Sequence, residues 1–177
     1  ELAVRTVFNM LGPLSNPAMV DRLLVGVFAP EWVEPVARVL AELGAKRAWV
    51  VHGTGGLDEL ATNGPAMVAS MDNGEVKMFE ITPEDAGLPR CQINDLKGGD
   101  AEFNADALEA LLDGKPSAYR DTVLLTSAGA LIVADMADTL KEGIAIAANS
   151  IDSGQASLAL KRMVKISHET IEEEGED

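Results

Sequence analysis

The sequence holds a single cysteine, Cys91, and only two histidines, His52 and His168. One cysteine excludes an intramolecular disulfide framework and a cysteine-based zinc knuckle. Neither histidine stands in a recognisable thiol-enzyme context, so Cys91 is read as a packing residue, and a reducing compartment, the cytoplasm, is expected. Basic residues are scarce: 14 Lys and Arg stand against 29 Asp and Glu, a net charge of −15. That balance excludes a protein whose main task is to coat nucleic acid or an anionic membrane. It leaves room for a phosphorylated ligand, because a metal ion can reverse the field at one site. Long apolar runs are also missing. The longest, near residues 123–137, is interrupted by Thr126, Ser127 and Asp135, and nothing approaches the roughly 18 uninterrupted apolar residues of a membrane span. The amino end shows no basic-then-apolar signal pattern.

What is present fits an ordinary globular chain. The 177 residues are 47% hydrophobic, enough to build the core of one domain. The chain opens at Glu1, without Met, on ELAVRT, which reads as the interior of something longer. Six acids fall in the last nine residues, Glu169 to Asp177, with no Lys or Arg among them, so the rest of the chain carries −9. This end is expected to be a solvated, disordered tail.

Along the chain, Val7 to Leu11 is apolar and is closed by Gly12-Pro13, and Asn16-Pro17 blocks any helix from continuing. Leu23 to Phe28 is a short run rich in strand formers. Val33, Val36, Ala37, Leu40 and Leu43 then recur at helical spacing before Gly44, and Arg47 to His52 reads as a second buried strand. Strand, helix, strand within about thirty residues is a βαβ unit with parallel strands. Met67 to Met71 and Val76 to Ile81 flank Asp72-Asn73-Gly74-Glu75, a β-hairpin signature. Thr82-Pro83-Glu84-Asp85 starts a helical turn that Gly87 stops. Helices are expected over about 104–113, 119–137, 139–151 and 154–168, with a break at Asp152-Ser153-Gly154. The expected fold class is α/β: a parallel sheet core with flanking helices and a β-hairpin.

Two segments carry candidate chemistry. After the second strand the chain runs Gly53-Thr54-Gly55-Gly56-Leu57-Asp58-Glu59. Three glycines expose backbone amides in a manner that suits an anion. Asp58 and Glu59 are hard oxygen donors of the kind that hold Mg2+ together with substrate phosphates, and no Lys or Arg lies between Arg47 and Lys77. The alternative for the pair is a turn followed by acids at a helix start. The segment lacks the GK[ST] ending of a Walker loop and is not a dinucleotide fingerprint. The second segment, Arg5 to Ala18, is a stiff corner: Gly12 permits close approach and Pro13 and Pro17 fix φ. His52 ends its strand beside the glycine loop, either as a base or phosphate ligand or as a hydrogen-bonded structural residue. Asn104, Arg120 and Asp152 read as caps or ion-pair members, and Trp32 and Trp49 as core.

RTVFNMLGPLSNPA, VVHGTGGLDELA, LKGGDAEFNADALEALLDG, YRDTVLLTSAGALIVA and IDSGQA, in that order, resemble the carboxyl-terminal half of the anthranilate phosphoribosyltransferase family, from Arg5 to about Val164. The resemblance implies the large α/β domain of a nucleoside-phosphorylase/phosphoribosyltransferase-like enzyme, incomplete here. It implies transfer of a phosphoribosyl group from 5-phosphoribosyl 1-diphosphate to anthranilate in tryptophan biosynthesis, with Mg2+ as cofactor, no membrane or nucleic-acid partner, and a homodimer when complete. Asp58 and Glu59 match the family's acidic pair that coordinates Mg2+ at the diphosphate. Gly12 and Pro13 match the corner that lines the anthranilate path. No covalent nucleophile is implied.

The sequence also departs from the family. Gly53 to Gly56 resembles the family's GTGGD-type loop but continues into Leu57 and belongs to the downstream acidic-pair motif, so it is not given that loop's role. That loop, a loop bearing lysine and asparagine, and the anthranilate-binding arginine are expected upstream of Glu1. Thr126 stands where the family often has Asn. The expected organisation is a segment over 1–18 linking to a helical domain, an α/β portion over 19–168 and the acidic tail over 169–177. This chain alone is expected to be inactive. The alternatives are a non-catalytic interaction module of the same fold and a nucleoside-phosphorylase-like relative.

Overall fold

Short apolar runs, buried on both faces in the middle of the sheet, set the sheet. A computed structural model describes residue 12 and residues 14–169. Pro13, most of the 1–18 segment and all but the first residue of the acidic tail lie outside the described residues. Strand β1 (Arg22–Gly26) and strand β2 (Arg47–Gly53) pair in parallel, with Val25 opposite Val50, and helix α1 (Val33–Glu42) connects them. The βαβ expectation therefore holds. Strand β3 (Ala66–Asp72) pairs antiparallel with β2, and strand β4 (Glu75–Ile81) pairs antiparallel with β3. Asn73 and Gly74 join β3 to β4 with φ of 46° and 89°. Two positive φ angles match the right-handed twist of a two-residue hairpin turn. The hairpin belongs to the same sheet, in the order β1-β2-β3-β4, so the sheet is mixed.

The two faces of the sheet are covered differently. On one face Val25, Ala48, Val50, Ala69 and Met71 meet Val33, Val36, Ala37 and Leu40 of α1. On the other, Trp49, Val51, Val68 and Ile81 meet Leu60 and, from helix α3 (Ala118–Val133), Leu125 and Val133. Helix α4 (Leu140–Asp152) packs on α3, and helix α2 (Ala101–Leu112) adds Leu111 to a third cluster with Leu124, Ala147 and Ile151. Helix α5 (Gln155–Ser167) follows and leaves Leu158, Met163, Val164 and Ile166 exposed. The result is a sheet between two helical layers, with Trp32 half-buried and Trp49 buried, as expected. Leu43 is the exception on α1: it caps the helix and is exposed.

Helix ends follow local chemistry with two departures. Gly44, at φ 89°, closes α1, while Ala45 N–H reaches Leu40 carbonyl at 3.0 Å. Thr82 and Asp85 form a reciprocal capping box, but the element it starts is one 3-10 turn, Pro83–Ala86, ended by Gly87 at φ 78°. Helix α2 begins at Ala101 rather than 104, because the Asp100 carboxylate accepts Phe103 N–H at 2.9 Å. Helix α3 ends at Val133 rather than 137. Asp135 turns to φ 58°, and Met136 N–H closes on Leu131 carbonyl at 2.9 Å.

Candidate active site

The glycine segment is a closed loop, and no helix follows it. The reading of Asp58 and Glu59 as acids at a helix start is therefore corrected. Gly53 N–H donates to Leu57 carbonyl at 2.7 Å, and Gly55 and Gly56 sit at φ 82° and 84°, so the chain doubles back within four residues. Side chains fix the loop from outside. Thr54 Oγ1 donates to Pro65 carbonyl at 2.7 Å, and Asn63 Nδ2 donates to Thr54 carbonyl at 2.8 Å. Asn63 Oδ1 is buried with no partner among the described residues.

Asp58 emerges exposed and Glu59 half-buried, just beyond the carboxyl ends of β1 and β2. Neither carboxylate has an ion-pair partner among the described residues. Burial pushes the Glu59 carboxyl above its usual range, and the neighbouring Asp58 charge pushes it further the same way. The charge that would relieve both effects is a cation. The described residues contain no cluster of three or more His, Cys, Asp or Glu able to hold a metal alone. Two adjacent carboxylates with no third ligand fit an ion such as Mg2+, which takes one or two carboxylates and fills its other positions with phosphate oxygens and water.

Gly12 borders an open cleft of about 460 Å3, with Asn16, Pro17 and Leu23 to Gly26 of β1. Gly26 also touches the backbone of Asp58. Gly26, the last residue of β1, thus borders both the cleft that Gly12 lines and the backbone of the acidic pair. Another cleft, about 470 Å3, is lined by Lys97, Phe103, Asn104, Lys115 and Tyr119 among others, and by neither Gly12 nor the acidic pair.

The remaining sequence candidates resolve into structure. His52 Nδ1–H donates to Val27 carbonyl at 2.8 Å and ties the end of β2 to the chain leaving β1. Cys91 Sγ packs 3.2 Å from Thr62 Oγ1. Arg120 pairs with Asp152 at 2.8 Å, and the Asn104 amide holds both backbone groups of Gly99. Thr126 Oγ1 donates to Leu60 carbonyl at 3.0 Å. Sequence reasoning missed Gly26 and Asn63 as parts of the site. A glycine inside a strand pattern is a known sign of close backbone approach, and Gly26 carried that sign.

Residues 1–157 match the family described as "Glycosyl transferase family, a/b domain". Among curated relatives, the anthranilate phosphoribosyltransferase of Bradyrhizobium diazoefficiens is 58% identical over 168 residues, which is 95% of this chain and 50% of that protein. The crystal structure of anthranilate phosphoribosyltransferase from Thermus thermophilus superposes with a TM-score of 0.83 at 43% identity, covering 92% of this chain and 48% of that one. The Saccharomyces cerevisiae enzyme in complex with PRPP and Mg superposes with a TM-score of 0.80 at 30% identity, covering 89% and 46%. The chain spans about half the length of the curated relatives it matches. With the mixed sheet, the flanking helices and a family match over most of its length, the chain belongs to the glycosyl transferase family through that family's a/b domain.

Proposed function

We propose that this chain supplies the metal-holding wall of a phosphoribosyl-transfer site. In that site the glycosidic bond of 5-phosphoribosyl 1-diphosphate breaks, diphosphate leaves with the bonding electrons, and the amine of anthranilate takes its place on the sugar carbon. The observation that carries the reading is the unpaired Asp58-Glu59 carboxylate pair beyond the ends of the parallel strands, where open α/β sheets gather their ligands. The kinship supports the substrates: the yeast relative is a complex with PRPP and Mg.

Asp58 and Glu59 would hold Mg2+. When bound, the ion stabilises the charge that develops on the leaving diphosphate. Burial of Glu59 leaves its own carboxylate partly desolvated, which would strengthen its hold on the ion. Gly12 and Pro13 would line the anthranilate path, and the cleft at Gly12 is lined by β1 as far as Gly26. No residue of this chain is assigned as nucleophile or acid-base catalyst. We further propose the organisation 1–18 as a linking segment, 19–168 as the α/β portion and 169–177 as an acidic tail, with a cytoplasmic homodimer as the working assembly.

The test has two arms. These 177 residues alone are expected to show no phosphoribosyl transfer, with some activity returning when the other half of a relative is supplied in trans; a native rate from the chain alone would overturn this. In the full-length protein, Asp58→Asn with Glu59→Gln is expected to weaken Mg2+ dependence strongly. Unchanged Mg2+ dependence would remove the metal assignment.

A further inference from the structure

The acidic pair is held by its backbone, and the parts that hold it lie elsewhere in the chain. A Cβ built on Gly26 would overlap the Asp58 carbonyl oxygen outright and would stand 2.9 Å from Asp58 Cβ. A Cβ built on Gly53 would stand 2.6 Å from the Glu59 carbonyl oxygen and 3.4 Å from Leu57 Cβ. Gly26 pairs with Val51, and Gly53 lies two residues beyond Val51, so both glycines end their strands on the same sheet face. The next carbonyl, of Leu60, accepts the Thr126 hydroxyl from α3 at 3.0 Å. Leu60 itself is fully buried, and α3 approaches it so closely that a Cβ on Gly129 would stand 2.8 Å from Leu60 Cδ1. Three consecutive backbone carbonyls, 58 to 60, are thus fixed by three separate elements.

We infer that Gly26, Gly53 and Thr126 are positioning residues for the carboxylates of Asp58 and Glu59. None of the three offers a group to a metal. Two act by having no side chain where the acidic segment crosses the strand ends, and the third by anchoring the segment's exit. The inference rests on the metal reading of the acidic pair. Its physical basis is that a metal site tolerates little displacement of its ligands, and supporting residues commonly change affinity about 10- to 100-fold.

The experiment uses the full-length protein and reads Mn2+ binding by electron paramagnetic resonance in the presence of diphosphate, with the unfolding midpoint measured separately without metal. Gly26→Ala, Gly53→Ala and Thr126→Val are each expected to weaken Mn2+ binding about tenfold or more. Thr126→Ser, which keeps the hydroxyl, is expected to bind as the unsubstituted protein does. Gly143→Ala serves as the control for plain destabilisation. Its Cβ would stand 2.8 Å from Ala128 Cα, between α4 and α3, and it is expected to lower the midpoint while leaving Mn2+ affinity unchanged. If Gly26→Ala does not fold, Gly53→Ala and the Thr126 pair decide the question. Unchanged Mn2+ affinity in every positioning variant, beside a clear loss in Asp58→Asn with Glu59→Gln, overturns the positioning inference alone. Unchanged affinity in the carboxylate variant as well removes the metal reading on which it rests.

Discussion

Arg120 and Asp152 join two helices through one hydrogen bond of 2.8 Å, from the Arg120 Nη2 donor on α3 to the carboxylate at the end of α4. The Arg120 side chain is only 11% exposed, while that of Asp152 is 56% exposed, and Arg120 Nη1 is buried with no partner among the described residues. Removing the acid therefore leaves a largely desolvated cation with still fewer partners. Asp152→Ala is expected to cost about 1–3 kcal/mol in urea unfolding. Arg120→Met combined with Asp152→Ala should recover part of that loss, because an apolar replacement needs no partner. A double variant as unstable as the sum of the two single variants would refute this account.

The Nδ1–H of His52 is engaged with Val27 carbonyl, and the structure assigns the side chain to joining strand ends. His52→Asn, which presents a donor near the same place, should keep the full-length protein's turnover within about threefold, whereas loss of a general acid or base costs about 10²- to 10⁴-fold. Turnover assays paired with unfolding midpoints separate the two. A fall of about a hundredfold at unchanged stability would return His52 to the chemistry.

The raised Glu59 carboxyl gives the protein a pH signature. The folded state holds this proton more tightly than the unfolded chain does, so between the ordinary value of 4.5 and the raised value the folded state binds more protons. Stability from this group is therefore complete below 4.5 and declines as pH rises through the folded value. Without metal at neutral pH, Glu59→Gln should be the more stable protein. Mg2+ binding should release protons in the same mildly acidic window. Thermal midpoints of the two proteins that run parallel from about pH 4 to 7 would show that Glu59 does not titrate abnormally.

Asp135 closes α3 at φ 58° with its two oxygens on Arg22 and Arg47, and the same guanidiniums donate to the carbonyls of Val133 at 2.9 Å and Ile132 at 3.3 Å. Exposed pairs of this kind are worth about 0–1 kcal/mol each. The left-handed backbone costs an ordinary residue about 1 kcal/mol more than glycine. Asp135→Gly and Asp135→Ala lose the same pairs, so the glycine variant should be the more stable by about 1 kcal/mol. Equal denaturation midpoints, or a more stable alanine variant, would mean that backbone strain is not what distinguishes this position.

Much of the fold was legible because its causes are local. The period of α1, the glycine that stops it, the Asn73-Gly74 turn and the Thr82 cap each depend on residues within one or two turns of chain. The glycine loop and the carboxylate pair were legible for the same reason, since a tight turn and adjacent hard donors are written in consecutive residues. The end of α3 was not, because the groups that hold Asp135 come from Arg22 and Arg47, 113 and 88 residues away. A helix stop without glycine leaves no mark in a helical pattern.

The sequence by itself determined which residues could do chemistry here: two acids without a nearby cation, after three glycines, at the end of a buried strand. Tertiary structure decided where those acids stand. Asp58 rests over Gly26, 32 positions earlier in the chain, and the exit of the segment is tied to Thr126, 66 positions from Leu60. Side-chain identity is a local property, whereas the place of a backbone carbonyl depends on which distant residues leave room for it.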